Sequence, residues 1–96
     1  MTEAGVREAL REVIDPELGA NIVDLGLVYR IDIDADTARV TMAMTSPACP
    51  LRDYLEDLAR SAVAAQFPDA RVLIEIVTEP PWTEDMMTDA ARQQLG

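Results

Sequence analysis

One cysteine and no histidine set the chemistry open to this 96-residue chain. Cys49 lies in Thr45-Ser46-Pro47-Ala48-Cys49-Pro50, ahead of Leu51, Leu55, Leu58, Ala62 and Ala65, whose steps of four and three mark one face of a long helix. Proline is favoured at the first helical position. Pro50 there makes Cys49 the N-cap, and Pro47 there puts Cys49 in the first turn. Either register aims the sulfur at a helix N-terminus, where unpaired N–H groups and the positive end of the helix dipole favour the thiolate that binds metal or attacks an electrophile. The competing reading is a small buried hydrophobe, since free cysteine is among the most buried residue types.

The thiol's missing companions narrow its work. A cysteine protease or acyltransferase pairs the thiolate with histidine, which this chain lacks. A thioredoxin-like site needs a second cysteine, and a closed zinc site needs more ligands than one sulfur. What remains is a lone thiolate that shares a metal or cluster with another chain. Thr45 and Ser46 either hydrogen-bond the sulfur or cap the helix.

Other candidates are ambiguous in kind. Asp24 sits between Val23 and Leu25, and Asp15 and Glu17 flank Pro16; each carboxylate is either a hard-metal ligand or a hydrogen-bonding anchor of its loop, the second being the commoner role. Trp82 follows Pro80-Pro81 and precedes Met86 and Met87. It is either a lid on the end of a sheet or an anchor for a partner, with Met86 beside it. Asp32, Asp34 and Asp36 lack the glycine and distal glutamate of a calcium loop and fit a solvated turn.

The positioning elements follow from hydrophobic period. Val6, Leu10, Val13 and Ile14 recur at helical spacing, predicting an amphipathic helix over about 3–14 that Asp15-Pro16 ends. Asp15 to Gly26 begins as loop, but Ile22-Val23-Asp24-Leu25-Gly26 is apolar enough to pack inward. From Leu27 the period is two: Leu27, Tyr29, Ile31 and Ile33 share one face and Arg30, Asp32 and Asp34 the other. Asp34-Ala35-Asp36-Thr37 turns the chain into a second strand carrying Val40, Met42 and Met44, which runs out at Thr45. The helix after Cys49 closes at Phe67-Pro68-Asp69. Val72, Ile74 and Ile76 make a third strand, and Thr83 N-caps a last helix with two acids in its first turn. The result is an α+β two-layer sandwich, in α-β-β-α-β-α order, with a three-stranded mixed sheet, as a single domain over residues 1–96. Strands two and three run in the same sense, parallel if adjacent.

Composition limits the partners. A net charge of −10, with eight basic residues that are all arginine and form no cluster, argues against nucleic acid or an anionic membrane. Met1-Thr2-Glu3-Ala4 lacks the basic and apolar regions of a signal peptide, and no apolar run approaches the roughly 18 residues of a spanning helix. A cytoplasmic protein is expected.

Four ordered stretches resemble the small iron-sulfur cluster assembly domain of the SufT and PaaD proteins and the eukaryotic cytosolic iron-sulfur targeting factors. They are Asp15-Pro16-Glu17; Asn21 through Tyr29; Thr45-Ser46-Pro47-Ala48-Cys49-Pro50; and Pro80-Pro81-Trp82-Thr83 with Met86-Met87 and Leu95-Gly96. The PaaD branch carries a further cysteine-rich portion that these residues do not contain. The resemblance implies a compact α/β fold, a reactive cysteine at Cys49, and an adaptor or carrier, rather than a turnover enzyme, that matures or delivers clusters. Its expected partners are iron-sulfur client or scaffold proteins. Clusters are normally held by four cysteine ligands, so one thiolate implies a transient or bridging iron-sulfur cluster, not retained in air, completed by a homodimer's second Cys49, small thiols or a client. Two other readings stay open: a non-metal interaction adaptor in which Cys49 is structural, and a thiol-dependent enzyme with no histidine base.

Overall fold

The computed structural model describes residues 1–16, 18–44 and 52–95. Helix α1 covers Glu3–Leu10, capped by Thr2, whose Oγ1 accepts the Gly5 N–H at 3.0 Å. Val6, Ala9 and Leu10 form its buried face. It ends a turn earlier than its hydrophobic period suggests. The N–H groups of Arg11, Glu12 and Val13 reach back only three residues, to Glu8, Ala9 and Leu10, tightening the chain out of α geometry. Val13 stays buried, but Ile14 leaves the helical face, bridges to Asn21 in an antiparallel β-contact and is 48% exposed.

Strands β1 (Val28–Asp34) and β2 (Thr37–Met42) form the hairpin expected from their alternation, and helix α2 (Arg52–Gln66) returns the chain to β3 (Arg71–Ile76). The order is β1-β2-β3, with β1 antiparallel and β3 parallel to β2. The two later strands are thus adjacent and parallel, with β2 central; Met44 lies beyond its end. Ala38, Val40 and Met42 on the inner face of β2 are fully buried. Helix α1 packs over β1 and against α2, which covers β3, so both main helices back one face.

Two local patterns depart from the simple periods. On α2 the buried stripe is Leu55, Ala59 and Val63, flanked by Leu58 and Ala62, while Ala65 faces solvent. Ala59 is fully buried at the middle of this stripe. In β1 the register shifts between Val28, opposite Met42, and Arg30, opposite Thr41. Tyr29 is the extra residue of a β-bulge, which breaks the period-two phase shared by Leu27, Tyr29, Ile31 and Ile33 and re-aims the tyrosine.

The Asn21–Leu27 stretch contributes Ile22, Leu25 and Leu27 to the core, all fully buried. Past β3, Thr83 precedes a short 3-10 turn, Glu84–Met86, without a side-chain capping bond, so it does not start the last helix. Helix α3 covers Asp89–Leu95, and Thr88 caps it by accepting the Ala91 N–H at 3.3 Å.

Candidate functional site

The parallel pair β2 and β3 ends at the same end of the sheet where antiparallel β1 begins. Two backbone bonds tie this end: Ala43 N–H to the Leu27 carbonyl at 2.8 Å and Val77 N–H to the Met42 carbonyl at 2.9 Å. Ligand sites of α/β sheets favour the carboxyl ends of parallel strands, where loops can diverge. Here that end is built from the 21–27 turn and the 80–88 segment.

Asp24 is the hub of the turn. Its own N–H donates to Asn21 Oδ1 at 2.9 Å, and Asn21 Nδ2 donates back to Asp24 Oδ2 at 2.8 Å. Arg11, just past α1, donates to Asp24 Oδ1 at 2.8 Å, and the Asp24 carbonyl accepts the Thr88 N–H at 2.8 Å. With its side chain 18% exposed, the carboxylate joins α1, the turn and the approach to α3. Hydrogen bonding from Asn21 holds its pKa below the ordinary value of 3.8; burial opposes this, and Arg11 reinforces it through a hydrogen bond and its charge. Both carboxylate oxygens are therefore engaged within the chain. Asp15 is 2% exposed and accepts the Leu18 N–H at 3.2 Å, which anchors the preceding turn.

The 80–88 segment straps across this turn. Trp82 Nε1 donates to the Leu25 carbonyl at 2.7 Å and the ring packs against the core. The bulged Tyr29 donates its phenol to the Pro80 carbonyl at 2.8 Å, with Met86 Sδ at 3.6 Å. Burial raises the Tyr29 pKa above 10.0, so it remains a neutral donor. Gly26, at φ +81°, lies directly against the Met86 backbone. Trp82 and Met86 are thus brought together with Tyr29 and Asp24 at one end of the sheet.

Cys49, Thr45, Ser46 and Pro50 lie outside the described residues, as does Glu17. Residues 45–51 connect Met44, just past β2 at this sheet end, to Arg52, the first residue of α2. Among the described residues, no three His, Cys, Asp or Glu side chains group as metal ligands. In the described part the indole and phenol donors are spent within the chain, tying the strap to the turn and to β1, with the Met86 thioether beside the phenol. Arg11 carries no local signal in the sequence, Asn21 reads there only as a turn residue, and Tyr29 only as part of a strand and of the Asn21–Tyr29 stretch. The Asn21-x-x-Asp24 spacing is the signal that would have found one of them, because side chains of Asn and Asp commonly close local turns.

The sequence model described as iron-sulfur cluster assembly protein matches residues 3–76. The chain belongs to this family. The Bacillus subtilis Fe-S protein maturation auxiliary factor YitW is 44% identical over 92% of this chain and 87% of its own. The Staphylococcus aureus Fe-S protein maturation auxiliary factor SufT is 43% identical over 88% of this chain and 97% of its own. Among solved structures, a Bacillus anthracis domain of unknown function, DUF59, superposes with a TM-score of 0.94 at 35% identity, covering 98% of this chain and 91% of that one. Membership in the iron-sulfur cluster assembly family gives the sheet end a context: the stretches that carried the resemblance include both the Asn21–Tyr29 turn and the Trp82–Met86 strap that meet there.

Proposed function

We propose that this protein is an accessory factor that helps assemble iron-sulfur clusters or deliver them to client proteins in the cytoplasm. The observation that carries the reading is the match to the iron-sulfur cluster assembly family over residues 3–76, supported by maturation auxiliary factors as nearly full-length relatives. In this reading the cluster is cargo. Cys49 supplies one thiolate, and a second chain or small thiols supply the others. Thr45, Ser46 and Pro50 set the thiol's surroundings. Asp24 acts through the turn it holds, and the Trp82–Met86 strap forms the surface on which a client or scaffold docks.

The protein on this account is a carrier or adaptor without turnover. One thiolate gives no closed site, which suits a factor that must release what it holds. Anaerobic incubation with iron and sulfide, applied to the wild type and to Cys49→Ser, tests the reading. Cluster absorbance that depends on Cys49, below one cluster per chain, supports a bridging carrier; iron uptake indifferent to Cys49 removes the thiolate from the mechanism.

A further inference from the structure

Among the described residues, β3 pairs with β2 on one side and with no strand on the other. The N–H of Arg71 points to the Asp36 carbonyl beside β2 and that of Val77 to Met42. Backbone groups alternate along a strand, so Val72, Ile74 and Ile76 turn their N–H and C=O groups to the open edge. On the outer face Arg71, Leu73 and Glu75 are exposed, Leu73 to 41%, and on the inner face Val72, Ile74 and Ile76 are only half-buried. None of the described ion pairs uses Arg71 or Glu75.

This edge is complementary to itself. An antiparallel pairing of two β3 strands about a two-fold axis at Leu73 puts Val72 opposite Ile74 of the second copy, and both residues carry outward-facing backbone groups, as a hydrogen-bonded pair requires. The same register sets Arg71 opposite Glu75 twice, and Leu73 opposite its own copy in the closer, non-hydrogen-bonded position, with Cα atoms about 4.5 Å apart. An axis at Ile74 also satisfies the backbone but sets Leu73 against Glu75 and Arg71 against Val77. Charge complementarity selects the first register. We propose that β3 is a self-association edge, and that its occupant is a second copy of this chain joined by Arg71–Glu75 pairs across a continuous sheet.

The pairing has a consequence for the site. Antiparallel β3 strands send their carboxyl ends in opposite directions, so the two sheet ends at which residues 45–51 leave β2 lie at opposite ends of the assembly. This dimer separates two cluster-handling ends and does not join them. The proposal therefore stands or falls independently of the Cys49 reading. A short edge is a small interface, and the net charge of −10 on each copy opposes contact, so the association is weak and needs salt to screen the repulsion.

Sedimentation equilibrium in 0.15 M salt or above, up to about 1 mM protein, tests it with three samples. The wild type is expected to self-associate reversibly. Arg71→Glu and Glu75→Arg, each checked for native circular dichroism, are expected to weaken association roughly ten- to thirty-fold by setting like charges opposite one another. An equimolar mixture of the two variants restores association, because each then meets its complement. Net charge cannot imitate this pattern, since one substitution makes the chain more acidic and the other less. A wild type that stays monomeric throughout, single variants that associate as the wild type does, or a mixture that fails to recover overturns the proposal.

Discussion

Replacing Gly26 by alanine tests whether the turn and the strap are one unit. Gly26 sits at φ +81°, and a Cβ there would fall on the Met86 backbone, with the Met86 carbonyl carbon and Cβ both at 2.8 Å. Gly19, at φ +75°, has the same left-handed backbone, but a Cβ there would meet nothing within 4 Å. Gly19→Ala thus incurs only the left-handed penalty of about 1 kcal/mol. Gly26→Ala incurs that penalty and must also push the strap away, a further ~2 kcal/mol by analogy with overpacked cores. For a chain of this size the difference corresponds to a Tm gap of roughly 10 °C. Thermal unfolding followed by far-UV circular dichroism gives the gap, and Trp82 fluorescence reports whether the strap has shifted. Equal Tm losses in the two variants, with unchanged Trp82 emission in both, would mean that the turn and the strap are not coupled at Gly26.

Three further outcomes follow from the same geometry. Asp24→Asn should lower stability by about 1 kcal/mol at pH 7, since it replaces an ion pair to a partly exposed Arg11 and one of the turn's charge-assisted bonds; chemical denaturation checks it. Because the folded pKa of Asp24 lies below the ordinary 3.8, its contribution is fully present above that value and is lost as pH falls through the lowered one, so the gap between wild type and Asp24→Asn should close in that acid window. Trp82→Phe keeps an aromatic ring but a smaller one, loses part of the packing against the core and leaves the Leu25 carbonyl without its donor, and should cost about 2–3 kcal/mol in denaturant titrations.

Elements were legible where one period dominated. The hairpin, the crossover helix and the third strand follow from alternation and from four-three spacing, because each turns one face toward the shared core. Boundaries failed where tertiary contacts competed. Ile14 has helical spacing, yet its bridge to Asn21 takes it from α1; Tyr29 has strand spacing, yet the bulge lifts it out of phase. On α2 the sequence marks Ala65 as apolar, but packing turns the helix toward Ala59 and Val63. At the site, Asp24 stood out as a carboxylate in apolar company, while its partner Arg11 lies 13 residues away, beyond any local signal. Trp82 and Met86 stood out as either a lid or a partner anchor, but their attachment to Leu25 and Tyr29 arises only once the sheet brings distant segments to one end.

The proposed role as a cluster-handling accessory rests on the Cys49 thiolate. Anaerobic reconstitution of the wild type and Cys49→Ser with iron and sulfide, read by absorbance and iron counting, decides whether that thiolate holds a cluster. The expected result is a Cys49-dependent cluster at less than one per chain that bleaches in air. Equal iron uptake by both proteins, or none by either, would contradict it.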